Sequence, residues 1–63
     1  MLLTQAEYDA LTPLQQGYAT YMQAEHDGAV IPKGNPHPVG STEGEQWFRG
    51  NYQAMIESQD TVE

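Results

Sequence analysis

Residues 34–50 read GNPHPVGSTEGEQWFRG and contain a proline-rich loop, a helix start and the single tryptophan of the chain. Thr42 and Glu45 have the spacing of a capping box, in which a hydroxyl and a carboxylate satisfy free backbone N–H groups at the start of a helix. A residue that precedes proline is pushed towards extended backbone, so the prolines keep the loop out of regular structure. The stretch therefore predicts a stiff loop over residues 28–41 that leads into a helix over residues 42–57.

Two similar start signals precede this loop. Thr4 begins a Thr-x-x-Glu box that predicts a short helix over residues 5–11. Thr12 begins a Thr-Pro-x-Gln box that predicts a longer helix over residues 13–27, because proline is well tolerated at the first helical position. Gly28 is the expected stop of this second helix.

The pattern as a whole predicts a single all-α domain over residues 1–63. We expect two main antiparallel helices joined by the stiff Pro/Gly loop, with the short helix as an extra N-terminal element. The acidic end of the sequence, residues 58–63, is expected to form a frayed tail.

Apolar residues recur at helical spacing in both long helices. The two stripes are Leu14, Tyr18, Tyr21 and Met22, and Phe48, Tyr52, Met55 and Ile56. We expect the helices to bury these stripes against each other. Because glycine inside a helix costs about 1 kcal/mol relative to alanine, Gly17 and Gly50 are expected to mark points where the two backbones approach closely.

The aromatic residues divide between an expected core and an expected surface. Tyr18, Trp47 and Tyr52 lie on or beside the stripes and are expected in the core, with the phenol tips reaching solvent. Tyr8 and Tyr21 are expected to be more open, which would leave them available for contact with a partner.

The net charge of −7 is large for 63 residues, and the only cations are Lys33 and Arg49. Binding to phosphates requires a cluster of Lys and Arg, so direct binding to nucleic acid or to an anionic membrane is disfavoured. The charge suits a partner protein that presents a basic surface. Because so short a chain buries a thin core, we also expect a homodimer.

No stretch is long and apolar enough to span a membrane, and acidic residues follow the first three residues too soon for a secretory leader. The absence of cysteine excludes disulfides and thiolate metal sites. We therefore expect a cytoplasmic protein.

No catalytic constellation is evident, so we predict neither an enzymatic activity nor a cofactor. Glu25, His26, Asp27 and His37 are of types that ligate metals. Their spacing matches no metal motif, however, and a metal site is not expected.

Three short motifs resemble those of the ribosome modulation factor-like family of small helical proteins. They are Gly-Tyr at 17–18, Asn-Pro-x-Pro-x-Gly at 35–40 and Trp-x-x-Gly-x-x-x-Ala at 47–54. The scaffold residues that carry the resemblance are Gly17, Tyr18, Asn35, Pro36, Pro38, Trp47, Gly50 and Ala54. The resemblance implies two helices joined by a proline-containing loop, in agreement with the prediction from caps and periodicity.

The chain also departs from this family in its charge and in two motif positions. The ribosomal member is strongly basic, whereas this chain is strongly acidic. Pro36 and His37 stand where the family usually has Cys-Pro-Tyr, and Asn51 replaces a second tryptophan. The scaffold can therefore be shared while the partner differs, since a fold does not fix a function.

The leading functional hypothesis is a small acidic interaction protein, encoded by a phage or a mobile element, that binds and modulates a basic host protein. It would imitate a nucleic acid if its carboxylates formed a phosphate-like track. The candidate partner-binding residues are Glu7, Asp9, Tyr21, Glu25, Asp27, Glu43, Glu45 and Glu57. The family resemblance implies two alternatives, a ribosome-associated modulator of hibernation or translation and an accessory protein of antibiotic resistance.

Overall fold

A computed structural model describes residues 2–60 of the chain. This part of the chain contains three α-helices and no strand. The helices are α1 (Gln5–Asp9), α2 (Pro13–Gln23) and α3 (Thr42–Asp60). The all-α prediction is thus confirmed, whereas the antiparallel orientation of α2 and α3 stays a prediction. The predicted frayed tail lies outside the described residues from position 61 onwards.

Both capping boxes in the first part of the chain are confirmed. At α1, Glu7 N donates to Thr4 Oγ1 over 3.1 Å, and Thr4 N donates to the Glu7 carboxylate over 2.9 Å. At α2, Gln15 N donates to Thr12 Oγ1 over 3.2 Å, and Thr12 N donates to the Gln15 side chain over 3.1 Å. Local sequence alone therefore sets where these two helices begin.

The predicted ends of α1 and α2 are too late. Thr12 adopts extended backbone, with φ −68° and ψ 159°, because it is the N-cap of α2. The extended cap forces α1 to end before it, at Asp9. Beyond Ala24, α2 gives way to short turns in which His26 N bonds to Gln23 O. These turns lead to Gly28, whose φ of 86° reverses the chain into the loop.

The third helix differs from its prediction at both ends. Its cap is Ser41, not Thr42: Gly44 N donates to Ser41 Oγ over 3.0 Å, and the Ser41 hydroxyl donates to Pro38 O over 2.7 Å. Thr42 is the first helical residue, so the predicted Thr42–Glu45 capping box is wrong. At the other end the helix continues to Asp60, three residues beyond the predicted end, since no Gly or Pro interrupts it.

The two long helices meet backbone to backbone at a pair of glycines. A Cβ added to Gly17 would lie 1.8 Å from Trp47 O, and a Cβ added to Gly50 would lie 1.8 Å from Leu14 O. Any side chain larger than hydrogen would therefore separate the helices. The prediction that Gly17 and Gly50 mark the close approach is confirmed.

The prediction that the two apolar stripes bury against each other is wrong. Leu14 and Met22 of α2 remain 43% and 47% exposed, and Phe48 and Tyr52 of α3 are each 60% exposed. The glycine contact explains this outcome, because it turns the small-residue sides of the helices towards each other. The stripes then lie to the side of the contact and face solvent.

Tyr8, expected to be open, is instead the largest fully buried side chain of the described residues, at 2% exposure. It packs with Ala19, Ala24 and Ile31, and its hydroxyl accepts a hydrogen bond from Trp47 Nε1 over 3.2 Å. The core therefore joins all three helices and the loop. Trp47 is buried as predicted, whereas the core prediction for Tyr52 is wrong.

The long loop lies against α2. Ile31 enters the core, and Pro32 O accepts a hydrogen bond from Thr20 Oγ1 over 3.3 Å. Asn35 fixes the loop to α3, because its Oδ1 accepts from His37 N over 3.0 Å while its Nδ2 donates to Gly44 O over 3.1 Å.

Candidate functional site

The apolar stripe of α2, expected to be buried against α3, forms the floor of an open groove. The groove has a volume of about 500 Å³ and is lined by Leu11, Leu14, Gln15, Tyr18, Ala19, Met22 and Gln23. Leu14, Tyr18 and Met22 share one side of α2 because they are four residues apart. Apolar surface that is concave and open to solvent is typical of a site that binds another molecule.

A second apolar patch lies on α3 and is separate from this groove. It consists of Phe48, Tyr52 and Ile56, which are exposed and share one side of the helix by the same four-residue spacing. Phe48 meets Trp47 edge to face, with ring centroids 5.5 Å apart. Two of the three side chains in the patch are aromatic, whereas Tyr18 is the one aromatic side chain that lines the groove on α2.

The candidate partner-binding residues are exposed, but they do not converge. They lie on α1, on α2, in the turn after α2 and near the two ends of α3, and they are Glu7, Asp9, Tyr21, Glu25, Asp27, Glu43, Glu45 and Glu57. Within residues 2–60, no three His, Cys, Asp or Glu side chains come together as potential metal ligands. The carboxylates are thus distributed over several surfaces.

Three of these carboxylates are engaged in local structure. Glu7 closes the capping box of α1, and Asp9 accepts a hydrogen bond from Gln5 Nε2 over 2.9 Å. Glu57 accepts hydrogen bonds from Tyr18 and from Gln53. By contrast, the side chains of Glu25, Asp27, Glu43 and Glu45 make no hydrogen bond or ion pair within the described part of the chain.

A smaller, more polar hollow brings Tyr21 and Glu25 beside Lys33. Its volume is about 470 Å³, and Thr20, Ala24 and Asn51 complete its lining. The position of Lys33 in this hollow is not predictable from local sequence, because the loop that carries Lys33 is held by contacts with distant residues. The hollow therefore joins two predicted partner-binding residues to one of the two cations.

The two histidines do not form a metal site with their acidic neighbours. The His37 ring is 2.8 Å from Gln16 Oε1, and the Gln16 amide in turn donates to Tyr8 O over 3.0 Å. His26 is exposed in the turn after α2. His37 therefore helps to hold the loop on α2 and contributes to the fold.

The scaffold residues of the motifs are mostly at the helix contact. Gly17, Trp47, Gly50 and Ala54 are buried there, and Asn51 Nδ2 donates to Gly17 O over 3.1 Å. In the loop, Asn35 makes the two bonds described above, whereas Pro36 and Pro38 are exposed. These motifs therefore describe mainly how the chain folds, and Tyr18 is the one scaffold residue that also lines the groove.

One hydrogen bond connects the groove to α3. The Tyr18 hydroxyl donates to the Glu57 carboxylate, which lowers the pKa of Glu57 and raises the pKa of Tyr18. The hydrogen bond is the main cause of both shifts, because it favours the ionised carboxylate and the neutral phenol. A groove residue is thereby held next to a negative charge.

This bond predicts a small pH dependence of stability. The contribution of Glu57 is complete above the ordinary pKa of a glutamate and is lost as pH falls through the lowered pKa of the folded state. The contribution of Tyr18 is complete below the ordinary pKa of a tyrosine and is lost as pH rises through the raised value. We expect Tyr18→Phe to flatten the dependence of the urea midpoint on pH at both ends, as measured by Trp47 fluorescence. Identical pH profiles for the two proteins would contradict this prediction.

Comparison of the chain with protein-family models, curated proteins and solved structures returns no match. The resemblance to the ribosome modulation factor-like family therefore stays a hypothesis. None of the helices in residues 2–60 has the length and apolar character needed to cross a bilayer. Functional inference thus depends on the surfaces of this chain.

Proposed function

We propose that this protein is a non-enzymatic interaction protein that binds a partner protein through the partner's basic surface. The proposal rests on the negative charge of carboxylates that no cation of the chain neutralises within residues 2–60. The chain has a net charge of −7, and four exposed carboxylates make no hydrogen bond or ion pair within residues 2–60. Such a charge distribution speeds association with a positively charged partner and disfavours other partners.

Exposed apolar side chains supply the second part of the proposal. Large apolar residues on a protein surface are often interaction sites when they are contiguous. Here they form the groove on α2 and the aromatic patch on α3, and the side chains include Leu, Met, Phe and Tyr. The negative charge would speed association with the partner, and these apolar residues would stabilise the complex once it forms.

Imitation of a nucleic acid receives less support from the surface. A phosphate track needs carboxylates at regular spacing along one face, whereas these carboxylates lie on several separate segments. A docking site for a basic protein requires no such regularity. The ribosome-associated and resistance-related alternatives, the phage origin and the homodimer stay predictions.

The proposal is tested by capture followed by measurement on purified components. The tagged protein would be used to capture partners from a lysate of its source cells, and the affinity of each purified partner would be measured at several salt concentrations. We expect the fourfold variant Glu25→Gln, Asp27→Asn, Glu43→Gln, Glu45→Gln to bind about tenfold more weakly and with a smaller dependence on salt.

The matched control keeps the charge and shortens or lengthens the side chains. The variant Glu25→Asp, Asp27→Glu, Glu43→Asp, Glu45→Asp should retain the salt dependence of the original protein. An affinity that depends neither on salt nor on the four neutralising substitutions would show that the partner does not recognise this charge.

A further inference from the structure

The groove on α2 has the shape of a docking site for a helix. Its helical lining runs along α2 from Leu14 to Gln23, a distance of about 14 Å at 1.5 Å per helical residue, and Leu11 lies just before the helix. Leu14, Tyr18 and Met22 form a straight apolar row along it. A helix that docks in such a groove inserts apolar residues at positions i, i+3 or i+4, and i+7.

The charges around the groove are negative. Asp9 precedes the first lining residue, Leu11, by two positions, whereas Glu25 lines the separate polar hollow beside Lys33. Glu57 accepts a hydrogen bond from Tyr18, in the middle of the apolar row. The two cations of the chain, Lys33 and Arg49, are not among the lining residues.

This charge pattern decides between two occupants of the groove. A second copy of the chain would bring a further charge of −7 against an acidic rim, and the repulsion would oppose its docking. A helix with Lys or Arg beside its apolar stripe would place opposite charges against the same rim. Complementary charge therefore favours a basic partner helix over self-association at this groove.

We propose that the groove formed by Leu11, Leu14, Tyr18 and Met22 binds a basic amphipathic helix of a partner protein. The inference rests on the proposed function and gives it a site and a type of ligand. The apolar stripe of the partner helix packs on Leu14 and Met22, and its basic residues lie beside Asp9 and Glu57. The bond from Tyr18 to Glu57 holds the tyrosine ring along the wall of the groove.

The test uses the full chain and a synthetic peptide. The peptide contains about 18 leucine and lysine residues, with leucine at i, i+4 and i+7 spacing so that it forms a basic amphipathic helix. Fluorescence anisotropy of the labelled peptide should show saturable binding. The variant Leu14→Gln, Met22→Gln should weaken binding at least about tenfold, because both residues line the groove. Both are substantially exposed, so the fold should survive, as circular dichroism would verify.

The matched control removes two exposed apolar side chains from α3, outside the groove. Phe48→Gln, Tyr52→Gln deletes two exposed side chains on α3 that do not line the groove, and it should leave the peptide affinity unchanged. Equal losses in both variants, or no loss in either, would overturn the groove as the site.

Two further measurements separate the possible failures. A peptide with the same composition but scrambled order should bind more weakly. Equal binding would mean that charge alone is recognised, which overturns the groove but leaves the proposed function intact. Sedimentation velocity should give the same mass for the protein and for Leu14→Gln, Met22→Gln. A dimer that this variant dissociates would show that a second copy occupies the groove.

Discussion

Replacement of Gly50 by alanine is expected to abolish the cooperative unfolding transition of this protein. The added Cβ would lie 1.8 Å from Leu14 O and 3.0 Å from Tyr18 N, and both atoms belong to the backbone of α2. A flexible side chain could move aside, but these atoms move only if the helices separate. Overpacking against side chains costs about 1–3 kcal/mol. We expect a larger cost here, about the whole stability of ~3–5 kcal/mol that so small a core provides.

The better helix propensity of alanine does not rescue the variant, because it returns only about 1 kcal/mol. Gly17→Ala should behave in the same way, since its Cβ would lie equally close to Trp47 O. The matched control is Gly34→Ala, where the added Cβ meets no atom within 4 Å. Urea titrations followed by circular dichroism should show an unchanged transition for Gly34→Ala and none for the other two. A Gly50→Ala protein that unfolds at the original midpoint would refute the backbone contact.

Local signals in the sequence predict most of the helical architecture. The capping boxes at Thr4 and Thr12 depend on residues three positions apart, so no tertiary information is needed to recognise them. The helix ends are harder to predict, because they depend on the backbone conformation of the residues that follow each helix. Gly28 is the predicted stop of α2, but the helix already ends at Gln23, before the turns that lead to Gly28.

The orientation of the helices about their own axes was not predictable from hydrophobic periodicity. Leu14 and Phe48 mark apolar sides of their helices, yet periodicity does not state what covers those sides. Gly17 and Gly50 decide the contact, because the helix surfaces approach most closely where side chains are absent. Ala54, four residues after Gly50, extends the small-residue side of α3 and is completely buried. This small-residue spacing was the signal that could have predicted the contact face.

The same error explains why the groove was missed. Helical periodicity predicts that Leu14, Tyr18 and Met22 are buried, and they are therefore not among the candidate binding residues. The acidic residues were predicted correctly as exposed, since charged side chains are rarely buried without a partner. Their distribution around the groove required the structure, because Glu57 reaches Tyr18 from a different helix.

Replacement of Tyr8 by alanine is the second change expected to prevent folding. Tyr8 is buried to 2% exposure and is the one buried residue of the five-residue helix α1. A large aromatic side chain deleted from a core costs about 3–5 kcal/mol. The loss would also detach α1, because so short a helix is not stable without tertiary contacts. Urea titration should show no folded baseline for Tyr8→Ala.

The milder variant Tyr8→Phe separates packing from hydrogen bonding. It keeps the ring in the core but leaves Trp47 Nε1 without its acceptor, and an unpaired buried donor costs about 1–3 kcal/mol. We therefore expect a folded protein with a lower urea midpoint and altered Trp47 fluorescence. Tyr21→Ala is the matched control, because Tyr21 is exposed and should change the midpoint little. If Tyr8→Phe had the same urea midpoint as Tyr21→Ala and the original protein, the hydrogen bond between Tyr8 and Trp47 would contribute nothing to stability. The cost of Tyr8→Ala would then come from packing alone.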